Sequence, residues 1–322
     1  MSELRWHPLL REWVSVAAVR QNRPQMPRDW CPFCPGSGKV PDHYDVWLYP
    51  NDFAAFSPNN PPFEDKPGIF ATTGSRGSCD VVLYHPDHNL KPSAMSAEHW
   101  AKVVELWRDR SVQLFANPDV AYVFVFENTG EAIGVTMPHP HGQIYALPLL
   151  PPLVQRELDS ARLHMECESE CLYCRVLAEE LKAGARIVIE SEHFVAFVPF
   201  HARWPGEIQI YPRRHAQSLP DLNDAERIDL ARIVKAVRMK YDNLWNFSIP
   251  LMMMVRQRPA QGDHPYFHFH VEFCPIQRSR DKIKYLAGVE SGTGMFLNDT
   301  LAEEKAAELR AAEPVTTFSE NL

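Results

Sequence analysis

The chain has 322 residues, a formal net charge of −8, 45% hydrophobic and 23% charged residues. This length allows one large domain or two ordinary ones, and the acidic balance disfavours a nucleic-acid-binding surface. No apolar run reaches the roughly 18 residues of a membrane span, and the first residues lack the apolar core of a signal peptide. We therefore expect a cytoplasmic protein that binds neither nucleic acid nor membrane.

Two C-x-x-C pairs, Cys31 with Cys34 and Cys171 with Cys174, are each followed by the same order of features. In a reducing compartment such pairs more often hold metal or perform redox chemistry than form disulfides. After the first pair, the sequence predicts a strand in 79–88, a helix over 96–115 capped by Ser96, an apolar run at 121–128, and then HPHGQ at 139–143. After the second pair come a strand in 206–215, a helix over 223–245 with Asn223 and Glu226 as a capping pair, an apolar SIPLMMMVR and FHFHVEF at 267–273.

The two series also agree in spacing, because the interval from His88 to His139 nearly equals the interval from His215 to His268. We therefore predict a duplicated α+β fold, an antiparallel sheet flanked by helices. The first half spans 1–150 and the second spans 151–322. The segment 149–170 links the halves, and 300–313 is an amphipathic helix.

The two histidine motifs alternate with the period of a β-strand, so every second residue shares a face. One face of FHFHVEF carries His268, His270 and Glu272, with apolar residues on the other face. The corresponding positions of the first half are His139, His141 and Gln143. Gly142 is expected to leave the backbone open to the close approach of a ligand.

The cysteines and histidines have the composition of structural zinc sites, which take four Cys or His ligands and often include a C-x-x-C pair. The predicted first site consists of Cys31, Cys34, His88 and His139. The predicted second site consists of Cys171, Cys174, His215 and His268. For either C-x-x-C pair alone, a turn with two buried thiols is the alternative.

If His139 binds metal, His141 is left for chemistry. A neutral imidazole can attack an electrophile without prior deprotonation. Gln143 offers an amide donor, and one good donor to a developing oxyanion is worth about 2–4 kcal/mol. We therefore predict His141 as a nucleophile and Gln143 as the group that stabilises charge on a phosphoryl oxygen.

These motifs resemble those of the galactose-1-phosphate uridylyltransferase family, in the histidine-triad superfamily. The resemblance rests on HPHGQ with HPDH and C-x-x-C upstream, and it extends from RQNRP at 20–24 to the helix near 310. It includes PNDFAAF at 50–56, FENTGEAIGV, FHFH at 267–270 and KYLAGVE at 284–290. It implies histidine-triad-like halves and a double displacement, in which UDP-glucose gives UMP to His141 and galactose 1-phosphate then accepts it.

The resemblance also implies roles for further residues. Asn51, Asp52 and Phe53 would hold the uridine, Arg20 and Arg23 would lie on the phosphate side, and Asn128 would contact substrate. The family forms homodimers in which the partner chain completes the active site. Lys284 and Glu290 fall in the segment that crosses between the subunits.

The sequence departs from the family at several positions. Thr136, Met137 and Pro138 precede HPHGQ where better-known members read S-N-P, and the family's sugar-proximal glutamine has no clear match. The family's second metal site can use one glutamate and three histidines. Glu157, His268 and His270 match it, but Arg256 stands in place of the third histidine, which favours the Cys171 set instead. Alternative functions are an adenylyl-sugar or dinucleoside-polyphosphate phosphorylase of the same superfamily, and a non-catalytic zinc-stabilised nucleotide-binding module.

Overall fold

The computed structural model describes residues 2–22, 30–60 and 65–312. Its strands are β1 Ser2–His7, β2 Glu12–Ala17, β3 Trp47–Pro50, β4 Thr72–Gly74, β5 Ser78–Leu83, β6 Tyr122–Thr129, β7 His141–Leu147, β8 Ile187–Glu190, β9 Phe194–Phe197, β10 Ile208–Pro212, β11 Leu251–Arg256, β12 His270–Pro275, β13 Gln277–Ser279 and β14 Lys282–Ile283. Its α-helices are α1 Ala97–Phe115, α2 Pro152–Glu168, α3 Leu172–Ala183, α4 Asp224–Trp245, α5 Gly288–Thr293 and α6 Ala302–Ala311.

The central feature is a nine-stranded sheet in the order β3-β5-β7-β6-β11-β12-β10-β9-β8. Every neighbouring pair in it is antiparallel. The strand order β3-β5-β7-β6 of the first half returns as β9-β10-β12-β11 in the second, and the halves join where β6 pairs with β11. The predicted duplication and α+β fold class are confirmed. The boundary at 150 stays a prediction, since the sheet continues across both halves.

The two long helices pack against each other on one face of this sheet. The α1 helix buries Trp100, Val103 and Trp107, spaced as one helical face, and α4 does the same with Ile233 and Val237. Both predicted caps form. The Ser96 side chain accepts from the backbone N–H of His99, and Asn223 and Glu226 make a reciprocal capping box.

The opposite face of the sheet is covered differently in the two halves. The predicted link contains α2, which with α3 packs over the second half through Val154, Leu158 and Leu177. Every residue of β12 is consequently buried, whereas β7 alternates between half-buried and buried residues. The first half therefore keeps an accessible face at β7, and the second half does not.

The remaining elements lie outside the large sheet. Strands β2, β1 and β4 form a three-stranded antiparallel sheet, and β13 and β14 form a hairpin. The predicted C-terminal helix is α6, which buries Ala302, Ala306 and Leu309. None of the helices within the described ranges combines the length and apolarity needed to cross a membrane.

Candidate functional site

The predicted face of HPHGQ begins where β7 begins. His141, Gln143 and Tyr145 are half-buried and alternate with the buried residues of the strand. His139 and Pro140 lie in the bend before the strand, where the Pro140 carbonyl accepts a hydrogen bond from the backbone N–H of Tyr84 at 3.0 Å. The bend and the strand together bring the two histidines of the motif side by side.

The ring of His141 is held in one tautomer. Its Nδ1 lies 2.7 Å from the carbonyl oxygen of His139. Because a carbonyl oxygen only accepts hydrogen bonds, Nδ1 must carry the proton. In the neutral ring the lone pair is then on Nε2, the nitrogen that a nucleophile uses.

The structure explains the glycine at position 142 differently from the sequence analysis. A Cβ at this position would lie 2.1 Å from the Tyr84 hydroxyl oxygen and 3.2 Å from the Phe126 carbonyl oxygen. The space is therefore occupied by the protein's own buried tyrosine, and the expectation of an approaching ligand was wrong. Without a Cβ at Gly142, β7 can pack directly against Tyr84. This close packing determines the position of His141, the neighbouring residue.

The first predicted metal group is assembled by four distant segments. The ligand atoms of Cys31, Cys34, His88 and His139 all lie within 4.8 Å of one another. Three sulfur–nitrogen distances are 3.5, 3.7 and 3.8 Å, and each ends on a histidine Nδ1. A tetrahedral zinc ion with ordinary bond lengths would hold sulfur and nitrogen about 3.6 Å apart. The four residues therefore fit such an ion.

The second predicted group repeats this arrangement with Cys171, Cys174, His215 and His268, again within 4.8 Å. Cys174 Sγ lies 3.4 Å from Nδ1 of His215 and 3.3 Å from Nδ1 of His268. In both groups the second ring nitrogen of the histidine that opens the H-x-H motif faces a backbone carbonyl. His139 Nε2 lies 2.8 Å from the His85 oxygen, and His268 Nε2 lies 3.1 Å from the Pro212 oxygen. Metal-binding histidines commonly have such a partner.

Burial disfavours charge in the first group. It raises the pKa of the Cys31 thiol to about 11 and lowers the pKa of His139 to about 4. In the second group, the hydrogen bond between the two thiols lowers the pKa of Cys171 and raises that of Cys174. A divalent cation would favour the thiolate form in both groups.

Two cavities meet at His141. One, of about 300 Å³, is lined by His88, Asn128, Met137 and His141 among others. The other is a smaller cleft, which shares Met137 and His141 with the first and is also lined by Gln143. Its other lining residues, most of them aromatic or polar, are Trp30, Pro32, Phe33, Tyr49, Asn51, Asp52, Phe53, Val81 and Thr136.

The residues predicted to hold the uridine thus line one cleft with the predicted nucleophile. Asp52 accepts a hydrogen bond from the Tyr49 hydroxyl at 2.7 Å, and Asn51 Oδ1 accepts from the backbone N–H of Phe53 at 2.9 Å. Both bonds are local and hold the conformation of the turn after β3. The cleft has the mixture of aromatic walls and few polar groups that is typical of a nucleoside pocket.

Other predicted site residues have different surroundings. Arg20 reaches the Tyr145 hydroxyl at 3.3 Å and the Phe53 carbonyl at 3.5 Å. Lys284 and Glu290 form a buried ion pair of 2.7 Å with each other, and neither lines the two cavities at His141. Arg23 lies outside the described residues. Their predicted roles in substrate binding stay predictions.

The second half has a histidine in the place of His141. His270 Nδ1 lies 3.0 Å from the His268 carbonyl oxygen, which repeats the first half's geometry. Glu272 replaces Gln143, and its carboxylate accepts from Arg256 Nε at 2.9 Å. His270, Glu272 and Arg256 are all buried, and Glu157 adds a further carboxylate near Arg256. The positive charge among these buried carboxylates is therefore the guanidinium group of Arg256.

Several residues around the site were not predicted from the sequence. Phe33, between the first two cysteines, packs against His141 with ring centroids 5.6 Å apart. Tyr44 lies 3.1 Å from His139 Nε2 and donates to the Phe33 carbonyl at 2.7 Å. Tyr145 donates to Gln143 Oε1 at 3.1 Å. The alternation of β7 marks Tyr145 as a member of the same face, but nothing local marks Phe33 or Tyr44.

The chain matches two family models across nearly its whole length. They are the N-terminal domain of galactose-1-phosphate uridyl transferase, over residues 1–151, and its C-terminal domain, over 157–320. Galactose-1-phosphate uridylyltransferase from Thermotoga maritima is 42% identical over 317 residues, covering 97% of this chain and 99% of that relative. The enzyme of the same name from Rattus norvegicus is 34% identical over 337 residues, with coverage of 97% and 88%.

Solved structures agree with these matches. A uridylyltransferase structure superimposes with a TM-score of 0.89 at 33% identity, covering 96% of this chain and 98% of that chain. An ADP-glucose phosphorylase from Arabidopsis thaliana with bound ADP-glucose gives a TM-score of 0.77 at 27% identity, with coverage of 98% and 100%. The similarity of the fold and the similarity of the sequence therefore both relate the chain to uridylyltransferases.

Proposed function

The chain belongs to the galactose-1-phosphate uridylyltransferase family, as its motifs indicated, and we propose that it transfers UMP from UDP-glucose to galactose 1-phosphate through His141. One observation carries the proposal. The His141 ring, whose Nδ1–H donates a hydrogen bond to the His139 carbonyl, lines both cavities. One cavity can therefore receive the nucleoside and the other the sugar phosphate, with the phosphorus that is transferred lying beside Nε2 of His141.

In the first step Nε2 of His141 attacks the α-phosphorus of UDP-glucose. The new bond is N–P, the broken bond joins that phosphorus to the bridging oxygen, and glucose 1-phosphate leaves with the electron pair. The imidazole becomes positively charged, and the His139 carbonyl stabilises that charge by accepting the Nδ1 proton in a hydrogen bond. Gln143 supplies an amide donor to the phosphoryl oxygen.

In the second step a phosphate oxygen of galactose 1-phosphate attacks the same phosphorus. The N–P bond breaks, UDP-galactose forms, and His141 returns to its neutral tautomer without exchanging a proton with solvent. The prediction is ping-pong kinetics. Asn51, Asp52 and Phe53 hold the uridine throughout, while Asn128 lines the cavity on the other side.

The two Cys/His groups are proposed to bind zinc. The support is their soft ligand set, the sulfur–nitrogen distances of 3.3 to 3.8 Å and the carbonyl partners of two histidines. With four protein ligands each, such ions would serve structure rather than open a site for water. In the first group the ion would tie the loop of Phe33 to His139, next to the nucleophile.

We further propose a homodimer in the cytoplasm, with two halves at 1–150 and 151–322. Exposed apolar residues crowd the segment after β14: Tyr285, Leu286, Val289, Met295 and Leu297. Such a patch is typical of a protein–protein interface. Lys284 and Glu290 lie in the same segment, so a partner chain could present it to His141. Free thiols paired for metal binding suit a reducing compartment.

Intact mass after incubation with UDP-glucose tests the proposal. The expected result is a gain of one UMP, which is lost on adding galactose 1-phosphate and absent in His141→Asn. The His141→Asn protein should unfold at the same temperature as the original, because the metal ligands remain. An adduct formed from ADP-glucose but not from UDP-glucose would instead identify an adenylyl phosphorylase, a function favoured by the likeness to the ADP-glucose phosphorylase.

A further inference from the structure

We infer that Tyr145 is a positioning residue for the transfer reaction: together with Arg20, it turns the Gln143 amide so that its NH₂ group faces the phosphoryl group. The inference rests on the proposed function. It concerns the next residue on the same face of β7, two positions beyond Gln143. It also gives Arg20 a role that differs from direct contact with phosphate.

The orientation of a glutamine amide depends on what its oxygen accepts. The Tyr145 hydroxyl donates to Gln143 Oε1 at 3.1 Å. An amide whose oxygen is engaged in this way presents its NH₂ group on the other side. Gln143 lines the cleft that it shares with His141, so an NH₂ group turned away from Tyr145 is available to a phosphoryl group bound there.

The hydroxyl of Tyr145 is in turn oriented by a hydrogen bond from Arg20. Arg20 Nη1 lies 3.3 Å from it. A guanidinium has donors only, so the hydroxyl oxygen accepts this bond and its proton is directed to another acceptor. The same Nη1 is 3.5 Å from the Phe53 carbonyl, which ties the guanidinium to the nucleoside cleft. The series Arg20, Tyr145, Gln143 thus runs donor to acceptor in one direction.

The ring of Tyr145 has little freedom to move. It meets Phe126 of β6 edge-on, with ring centroids 5.0 Å apart at 84°, and Phe56 at 6.4 Å and 63°. Phenylalanine at position 145 would keep these ring contacts and lose only the hydroxyl. The substitution therefore separates the hydrogen bonds of the hydroxyl from the packing of the ring, and the Gln143→Ala background then separates the bond to Gln143 from the others.

The test is a double-substitution cycle on the rate of His141 uridylylation at saturating UDP-glucose. Tyr145→Phe should slow this step about tenfold, part of the roughly 100- to 1,000-fold that one oxyanion donor supplies, and change the half-saturating UDP-glucose concentration less than about twofold. In a Gln143→Ala background, Tyr145→Phe should cost nothing further. Arg20→Met should also slow uridylylation only when Gln143 is present, by a smaller factor than Tyr145→Phe. This variant replaces Tyr145→Phe in the test if the latter is poorly folded.

Tyr241→Phe is the matched control. Its buried hydroxyl donates to the Gly206 carbonyl at 2.8 Å in the second half. Its loss should lower stability and leave the uridylylation rate unchanged. An unchanged rate in Tyr145→Phe, or an equal loss with and without Gln143, would overturn the role of Tyr145. No adduct on the unsubstituted protein would refute the proposed function itself, and the assigned role with it.

Discussion

Gly142→Ala is the most direct test of how the fold positions His141, the proposed nucleophile. The added methyl group would lie 2.1 Å from the Tyr84 hydroxyl oxygen, far inside van der Waals contact. Tyr84 is fully buried and cannot retreat, because its ring packs 5.3 Å from Trp100 and 6.1 Å from Trp107. The strand carrying His141 must therefore move away.

Both stability and rate should respond to this shift. Overpacking of this kind costs about 1–3 kcal/mol in the free energy of unfolding. A displacement of about 1 Å at a reacting group can cost roughly 100-fold in rate. We expect both effects, measured by urea denaturation and by the rate of UMP attachment from UDP-glucose. Adding Tyr84→Phe removes the nearest atom and should recover part of each loss. Gly142→Ala protein with unchanged stability and unchanged rate would refute this explanation of the glycine.

Three further predictions concern the metal groups and the buried ion pair. Cys34→Ser should release about one equivalent of zinc per chain, measured by elemental analysis, and slow UMP attachment, since it disrupts the ligand set that holds His139. Cys174→Ser should also release about one equivalent but leave the attachment rate nearly unchanged; a large loss of rate would contradict a purely structural second site. Arg256→Met should lower the free energy of unfolding by about 3–5 kcal/mol near pH 7, because Glu272 is left buried without its cation. Burial by itself raises the pKa of Glu272, but Arg256 and the His270 hydrogen bond outweigh burial and hold it well below its usual value. The stabilisation is therefore complete above the unfolded pKa of about 4.3 and declines as the pH falls further, so the deficit of Arg256→Met should shrink in acid. A deficit that does not depend on pH would contradict this account.

The two halves place a histidine with the same hydrogen bond in two different surroundings. His141 and His270 make the same Nδ1 hydrogen bond to the residue two positions before them. His141 lines two cavities, whereas His270 is buried among the rings of Tyr173, Tyr211 and Phe267. With Glu272 in the place of an amide, the second histidine belongs to a buried ionic cluster. The face of the second half that corresponds to the His141 face is therefore packed inside the protein.

Much of the fold could be predicted from the sequence because its signals are local. The caps at Ser96 and Asn223 lie within a few residues of the groups they satisfy. The alternation in β7 and the repeated C-x-x-C pairs are equally local. The strand boundaries were less accurate, since β7 and β12 each begin only at the second histidine of their motifs. In the first motif, Pro140 has no backbone N–H to donate, and the chain bends so that His139 points towards Cys31, Cys34 and His88. The residues before His141 therefore do not join the hydrogen bonding of the sheet.

The candidate site was predictable where a motif carried the chemistry, and not where distant segments meet. From residue types and spacing alone we predicted two tetrads of Cys and His, a nucleophilic histidine beside a metal-binding one, and an amide donor two residues further along the strand. Three features became visible only in the folded structure: Tyr84 excludes a side chain at Gly142, α2 and α3 cover one face of the sheet in the second half, and Arg256 pairs with Glu272. Each of these depends on contacts between residues far apart along the chain, which the packing of the folded protein brings together and which no local pattern records.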